Sequence, residues 1–233
     1  MFAVKESTRR VQDLSRELPA LQNGDRLRSR EFLRRYEAMP EVKKAELIEG
    51  VVYMGSPVGA EEHGEPDALI HTWLGTYAAR TPGVRVFANA TVILDADNTV
   101  QPDACLCLKA SLGGRTRIDP RKYITGAPEL IAEIAATSAS IDLHDKLDAY
   151  ARNGVPEYFV WRTLEGRCDW FVLENENFVA LSPDSRGLLR SRAFPGLVLD
   201  VRALLARNAP KVLAALQRGL ASAAHKAFVG SRR

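Results

Sequence analysis

"TVQPDACLCL", Thr99 to Leu108, is the stretch that decides how this chain folds. Val100, Ala104, Leu106 and Leu108 are apolar, and Cys105 and Cys107 serve as small hydrophobes, so the run predicts a buried strand. The two cysteines, two apart, share one strand face and are read as core fillers. Asp103 interrupts the run near its front, directly after Pro102. A carboxylate leaving water for the end of a strand is costly unless a turn, a salt bridge or a metal ion compensates it.

Working outward, "VRVFANATVIL" (84–94) is rich in β-branched and aromatic residues and "DADN" (95–98) is a turn. Together with 99–108 they predict one long hairpin. After a polar loop over 113–125 comes "APELIAEIAA" (127–136), a nearly all-apolar strand interrupted by Glu133. "SASIDLHDKLDAYARNG" (138–154) predicts one helix, with Ser138 or Ser140 near its cap and Gly154 just past its end. "EYFVW" (157–161), "RCDWFVLE" (167–174) and "NFVALS" (177–182) predict a strand and then a meander, with Trp161, Trp170 and Phe171 in the core. Upstream, Ser29 is expected to cap a helix carrying Phe32, Leu33 and Tyr36 that stops before Pro40. "AELIEGVVYMG" (45–55) predicts a hairpin turning at Glu49–Gly50, and Leu69, Ile70, Trp73, Leu74 and Tyr77 predict a helix from about Pro66 to Ala79.

The sequence has 233 residues, 46% of them hydrophobic and 26% charged, with a net charge of +3. That composition reads as a soluble globular chain, and the order of its elements predicts an α/β fold with a mixed central sheet flanked by helices and extra C-terminal strands. No glycine-rich phosphate loop follows a strand, which sets nucleotide-binding folds aside. Residues 1–28 read as an N-terminal extension, 29–205 as the domain and 206–233 as a basic helical tail. Its apolar positions predict a helix packing one face on the domain or a second subunit, with its basic side either solvated or meeting backbone phosphates. Three cysteines make no disulfide framework. The opening residues carry no apolar signal-peptide core and no stretch approaches a membrane span, so the expected setting is cytoplasmic, with no membrane partner.

Asp103 and Glu133 stand in two otherwise apolar strands that can be sheet neighbours. Two close carboxylates repel unless a cation lies between them. Oxygen ligands completed by water suit Mg²⁺ rather than zinc. Lys146 lies on the following helix, with Asp142 one turn before it and Tyr150 one turn after.

"QPD", "ELIAEI" and "DLHDKLDAYARNGVPEYFVW", in that order, resemble the Uma2-like family of endonucleases within the PD-(D/E)xK restriction-endonuclease-like superfamily. "AELIEGVVYMGSP" and the following His63 agree with that family's opening hairpin and first core helix. The resemblance implies a restriction-endonuclease-like fold and a metal-dependent endonuclease that hydrolyses phosphodiester bonds in DNA, using Mg²⁺ or Mn²⁺ and acting as a homodimer. Residue by residue, Asp103 matches the "PD" aspartate, Glu133 the "(D/E)" position and Lys146 the lysine supplied from the next helix. Asp103, Glu133 and the backbone carbonyl of Ile134 are the implied metal ligands. Glu46, His63, Asp142 and Tyr150 are accessory candidates. Relatives carry Ser-Pro-Ser after the glutamate where this chain has "AATS" (135–138), which leaves room for an alternative: a nuclease fold without cleavage, serving as a nucleic-acid-binding or assembly module.

Each residue also has a plainer reading. Asp103 can be a strand-end residue taking backbone hydrogen bonds. Glu133 can belong to a structural salt bridge, and Lys146 with Asp142 is the i,i+4 spacing of a solvated helix face. His63 is either at a helix start facing a cleft or a satisfied surface histidine. Only the ordered set joins them into one site.

Overall fold

The segment 99–108 is shared between two six-stranded sheets, and Asp103 lies where the chain crosses from one to the other. The computed structural model describes residues 18–136 and 138–231; the first 17 residues, on which most of the expected N-terminal extension falls, lie outside them. In chain order the strands are β1 (Ala45–Ile48), β2 (Val51–Met54), β3 (Val84–Ala88), β4 (Val92–Ile93), β5 (Thr99–Val100), β6 (Ala104–Leu108) and β7 (Arg117–Ile118). They continue with β8 (Ile124–Thr125), β9 (Leu130–Ala135), β10 (Glu157–Arg162), β11 (Arg167–Glu174), β12 (Asn177–Ala180), β13 (Leu188–Arg190) and β14 (Val198–Asp200). The helices are α1 (Ser29–Glu37), α2 (Glu65–Arg80), α3 (Ala139–Leu143), α4 (Asp145–Arg152), α5 (Val201–Leu205), α6 (Ala209–Leu220) and α7 (Ala223–Gly230).

The core sheet runs β12-β11-β10-β9-β6-β3 and the second sheet β2-β1-β5-β4-β8-β7, with β13-β14 a separate ribbon. β9 sits inside the core sheet, parallel to β10 and antiparallel to β6. Being covered on both faces, it is apolar throughout except for Glu133. One face of the core sheet, with Leu106, Leu130, Ala132, Phe159 and Trp170, packs on Ile70, Trp73 and Tyr77 of α2 and on Leu204, Val212 and Leu216 of the C-terminal helices. The opposite face carries Cys105, Cys107, Ile131, Tyr158 and Val160 against Tyr150 of α4. Alternation along β6 and β9 places Asp103 and Glu133 on this second face.

The hairpin at Glu49–Gly50 forms as expected, with both residues at positive φ, 52° and 73°. That suits a two-residue turn between Ile48 and Val51. The long hairpin expected over 84–108 forms in one continuous register, from Val84↔Leu108 to Ile93↔Thr99, but is interrupted at 89–91 and 101–103 so that its two halves belong to different sheets. β4 pairs β5 in the second sheet and β3 pairs β6 in the core sheet. Pro102 has no N–H to continue a ladder. The neighbouring backbone is held by Gln101 N–H donating to Glu46 Oε1 at 2.7 Å and by Asn89 N–H, in left-handed backbone at φ 48°, donating to Asp103 O at 3.0 Å.

Two capping expectations are corrected. Ser29 is the buried first residue of α1 rather than its cap: its Oγ donates to Asp95 O and accepts from Thr99 Oγ1, while Arg28 at the cap makes no side-chain cap. The single helix expected over 138–154 breaks at His144 into α3 and α4. Tyr158 Oη donates to Asp142 O at 3.0 Å, taking a carbonyl that an unbroken helix would offer to Lys146 N–H. Ser138 Oγ donates to the Asp142 carboxylate instead of capping the backbone. In the C-terminal segment, Val212, Ala215 and Leu216 of α6 are buried, whereas Lys211 and Arg218 are exposed.

Candidate active site

Register brings the two carboxylates together. β6 and β9 pair Ala104 with Ala132, so one step further Asp103 stands opposite Glu133. Ile134 N–H donates to Asp103 Oδ2 at 2.8 Å, and Asp103 N–H lies 3.4 Å from Glu133 Oε2. Asp103 is 2% exposed and Glu133 3%. Both line a cleft of about 400 Å³ that also takes in Lys44, Glu46, His63 and Lys146.

The break at His144 directs α4 so that Lys146 reaches this face. Its Nζ lies 2.8 Å from Glu133 Oε1, 3.1 Å from Glu46 Oε2 and 3.2 Å from Asp142 Oδ1. The last is an ion-pair contact without hydrogen-bond alignment. Tyr150 Oη donates to Glu133 Oε1 at 3.1 Å from one turn further along. The solvated-face reading of Lys146 and Asp142 is therefore overturned: they are 4% and 1% exposed. Glu46, on β1, closes the cluster. His63 faces the cleft from a π-helical turn over 60–64 that leads into α2; its Nδ1 lies 3.2 Å from Ile134 O and its Nε2 3.6 Å from Asp103 Oδ1.

Lys44 was not among the residues expected from the sequence. Its Nζ lies 3.1 Å from Asp103 Oδ1, and its side chain is 36% exposed, against 5% for Lys146. The available signal was its spacing two residues before Glu46, which puts both on one face of β1.

Charge explains how these groups titrate. Four carboxylates, Glu46, Asp103, Glu133 and Asp142, face two ammonium groups, so the fully ionised cluster carries two net negative charges on mostly buried side chains. Burial, with Asp103, Asp142 and Glu46 nearby, pushes Glu133 up to about 8 despite Lys146 beside it. Burial also opposes ionisation of Asp103, but Lys44 and the Ile134 N–H outweigh it and hold that carboxyl below its usual range. Burial works against the charge on Lys146 too, yet Glu133, Glu46 and Asp142 raise it well above an ordinary lysine. Lys44 is raised by Glu133, Asp103 and Glu46, again against burial. Two carboxylates with opposed shifts at one sheet junction are the pattern of a functional site. Glu133 Oε2 has only the long 3.4 Å contact, whereas Asp103 Oδ1 is held by Lys44 Nζ at 3.1 Å, so a divalent cation shared by the pair would displace Lys44. An oxygen donor set carrying surplus negative charge fits Mg²⁺ or Mn²⁺.

The mixed core sheet flanked by helices is a restriction-endonuclease-like fold. The chain belongs to the Uma2 family, described as "Putative restriction endonuclease", whose model matches residues 29–202. Among solved structures it is similar to the crystal structure of a putative nuclease belonging to DUF820 from Anabaena variabilis, with a TM-score of 0.55 and 15% identity over 75% of this chain and 97% of that one. At that identity the likeness establishes the fold. No curated protein matches the chain.

Proposed function

We propose that this chain is a metal-dependent endonuclease that hydrolyses phosphodiester bonds in DNA. The observation that carries the proposal is the surplus of buried carboxylate over cation at the β6–β9 junction, in a cleft open to solvent. Asp103 and Glu133 would hold Mg²⁺ or Mn²⁺, with the Ile134 carbonyl as a further ligand. A divalent ion there supplies charge neutralisation at the phosphate and a more acidic water.

The chain's own groups divide the remaining work. Lys146, enclosed by three carboxylates, positions Glu133 and favours its ionised form. Tyr150 holds the same oxygen and fixes the carboxylate plane. Glu46 and Asp142 keep Lys146 charged and in place. Lys44 is the cation at the open side of the cleft and is placed to meet a phosphate oxygen as charge develops there. The reaction is an in-line attack of water on phosphorus: the water gives up a proton to solvent as its oxygen bonds to phosphorus, the bond from phosphorus to the sugar oxygen breaks, and that oxygen takes a proton from solvent, with no covalent intermediate.

Cutting both strands of a duplex takes two such sites, which favours a homodimer. Cys105, Cys107 and Cys168 are free thiols, in keeping with a reducing, cytoplasmic setting. Among the described residues no helix is long and apolar enough to cross a membrane. The test is incubation of wild type and Asp103→Asn with single- and double-stranded DNA and RNA plus Mg²⁺ or Mn²⁺. Wild type should cut DNA in a divalent-dependent way and the variant should not. Wild type that binds nucleic acid but cuts nothing under any of these conditions would make the non-cleaving binding module the better account.

A further inference from the structure

The β7–β8 hairpin and the edge strand β3 carry charge that the scheme above does not use. Between Lys109 and Gly126 the sequence has five basic residues and one carboxylate, Asp119, a surplus larger than the +3 of the whole chain. Arg121 is neutralised there by Asp119 at 2.9 Å, with Glu37 at 3.8 Å. Arg85 of β3, Lys109 after β6 and Arg117 of β7 are exposed and line one pocket of about 170 Å³ together with Thr116 and Cys107. Among the described residues none of these three cations is in an ion pair. What holds the two arginines leaves their charge intact. Arg85 Cζ sits 4.5 Å from the centroid of the Phe87 ring, two residues along the same face of β3. Arg117 Nη1 donates to the carbonyls of Gly114 at 3.3 Å and Thr116 at 3.1 Å. A ring face and carbonyl oxygens fix a guanidinium without cancelling it, so three like charges share one small pocket and repel unless an anion lies between them. Charged residues on sheet edges, as β3 and β7 are, also block edge-to-edge pairing, but that role needs neither a single sign nor a shared pocket.

We infer that Arg85, Lys109 and Arg117 form a contact for the phosphate backbone of nucleic acid, outside the cleft that holds Asp103 and Glu133. Planar guanidinium forks meet phosphate oxygens two at a time, and a lysine adds a point charge beside them. The choice of nucleic acid as partner rests on the nuclease reading; the capture of an anion by the pocket does not. β6 begins just after Asp103 and ends just before Lys109. Six residues at about 3.3 Å each set the two backbone positions roughly 20 Å apart. At about 3.4 Å per base pair, a duplex touching both places spans at least about six base pairs. Contacts of this kind hold a duplex in place without reading its sequence.

The experiment is fluorescence-anisotropy titration of a labelled DNA duplex, several helical turns long, with the full chain in EDTA between low and physiological salt. Arg85→Gln with Arg117→Gln should lower the log–log salt slope by about 1.8, two contacts at about 0.9 each, and alike for unrelated sequences. Lys211→Ala with Arg218→Ala removes the same charge from α6 and should lower the slope by less than one contact. Thermal melts by circular dichroism verify that both variants fold. An unchanged slope in the glutamine variant, with wild type binding and cutting DNA, would overturn the pocket and leave the nuclease reading standing. An equal fall in both variants would trace to overall charge and overturn it too, as would a wild type that binds no duplex. Polyglutamate bound by wild type and lost by the glutamine variant, with the duplex slope unchanged, would assign the pocket to an acidic protein instead. A slope that falls as expected in a protein that cuts nothing with Mg²⁺ or Mn²⁺ would support the pocket and count against the nuclease reading.

Discussion

Glu157 and Glu133 lie on adjacent parallel strands, are both almost fully buried and are both pushed up by burial, yet their surroundings differ in kind. Glu157 accepts from Ser191 Oγ, the N–H groups of Arg192 and Ala193, and Trp170 Nε1. These are four neutral donors on one carboxylate, tying the 191–193 turn to the core sheet. Glu129 is similar in kind, accepting the N–H groups of Leu108 and Arg115. Glu133 instead shares a lysine with two other carboxylates and stands opposite a third. A buried carboxylate saturated by neutral donors holds a turn in place. One that competes with like charges for too few cations is poised to take another cation. Burial alone does not separate structure from chemistry; the balance of charge against donors does.

Breaking each region in turn should expose the difference. The largest effect is on cleavage: Asp103→Asn or Glu133→Gln should abolish divalent-dependent hydrolysis with the fold retained, whereas Glu157→Gln should keep activity and cost about 1–3 kcal/mol of stability. Nuclease assays alongside denaturant melts check both halves. Next come the two lysines. Lys146→Met leaves three buried carboxylates without their shared cation and should cost about 3–5 kcal/mol. Lys44→Met leaves the buried Asp103 carboxylate with the Ile134 N–H but without its cation; it should cost less stability than Lys146→Met, which strands three carboxylates, and should lower kcat.

A smaller effect is the pH dependence of the metal-free protein. With Glu133 pushed from 4.5 up to about 8, the folded state keeps a proton that the unfolded chain releases. This contribution to stability is complete below about pH 4.5 and is lost as pH rises toward 8, with a slope of at most about 1.4 kcal/mol per pH unit. Glu133→Gln should flatten that slope in melts across the window, and Glu157→Gln should leave its Glu133 part in place. The smallest effect belongs to the C-terminal helices. Because α6 buries its apolar face and leaves Lys211 and Arg218 in solvent, replacing both with alanine should change the salt dependence of nucleic-acid binding by less than the 0.7–0.9 in log–log slope of a single lost phosphate contact.

Periodicity and turn chemistry made most elements legible: the Glu49–Gly50 hairpin, α2, and the strand–helix–strand order that ends in β10 all follow from local pattern. The split of the 84–108 hairpin was not legible, because strand propensity continues through both halves. Only the long-range bonds of Gln101 and Asn89 show where the chain changes sheets. The break at His144 was likewise hidden, since its cause, Tyr158 Oη on Asp142 O, lies across the fold. At the site, Glu133 drew notice as a carboxylate in an apolar strand, and Asp103 as one following a proline. Glu157 has nearly the same local sequence character, and three of its four neutral donors come from 34–36 residues away. Lys44 carried a usable signal in its i,i+2 spacing from Glu46, but it becomes informative only once Asp103 is known to stand beside it.

The most direct test of the account is an anomalous-difference map from crystals grown with Mn²⁺. It should show an ion bonded to both Asp103 and Glu133 and no ion at Glu157. Well-ordered crystals with Asp103 and Glu133 still held by Lys44 and Lys146 alone, and no anomalous density between them at saturating Mn²⁺, would contradict it.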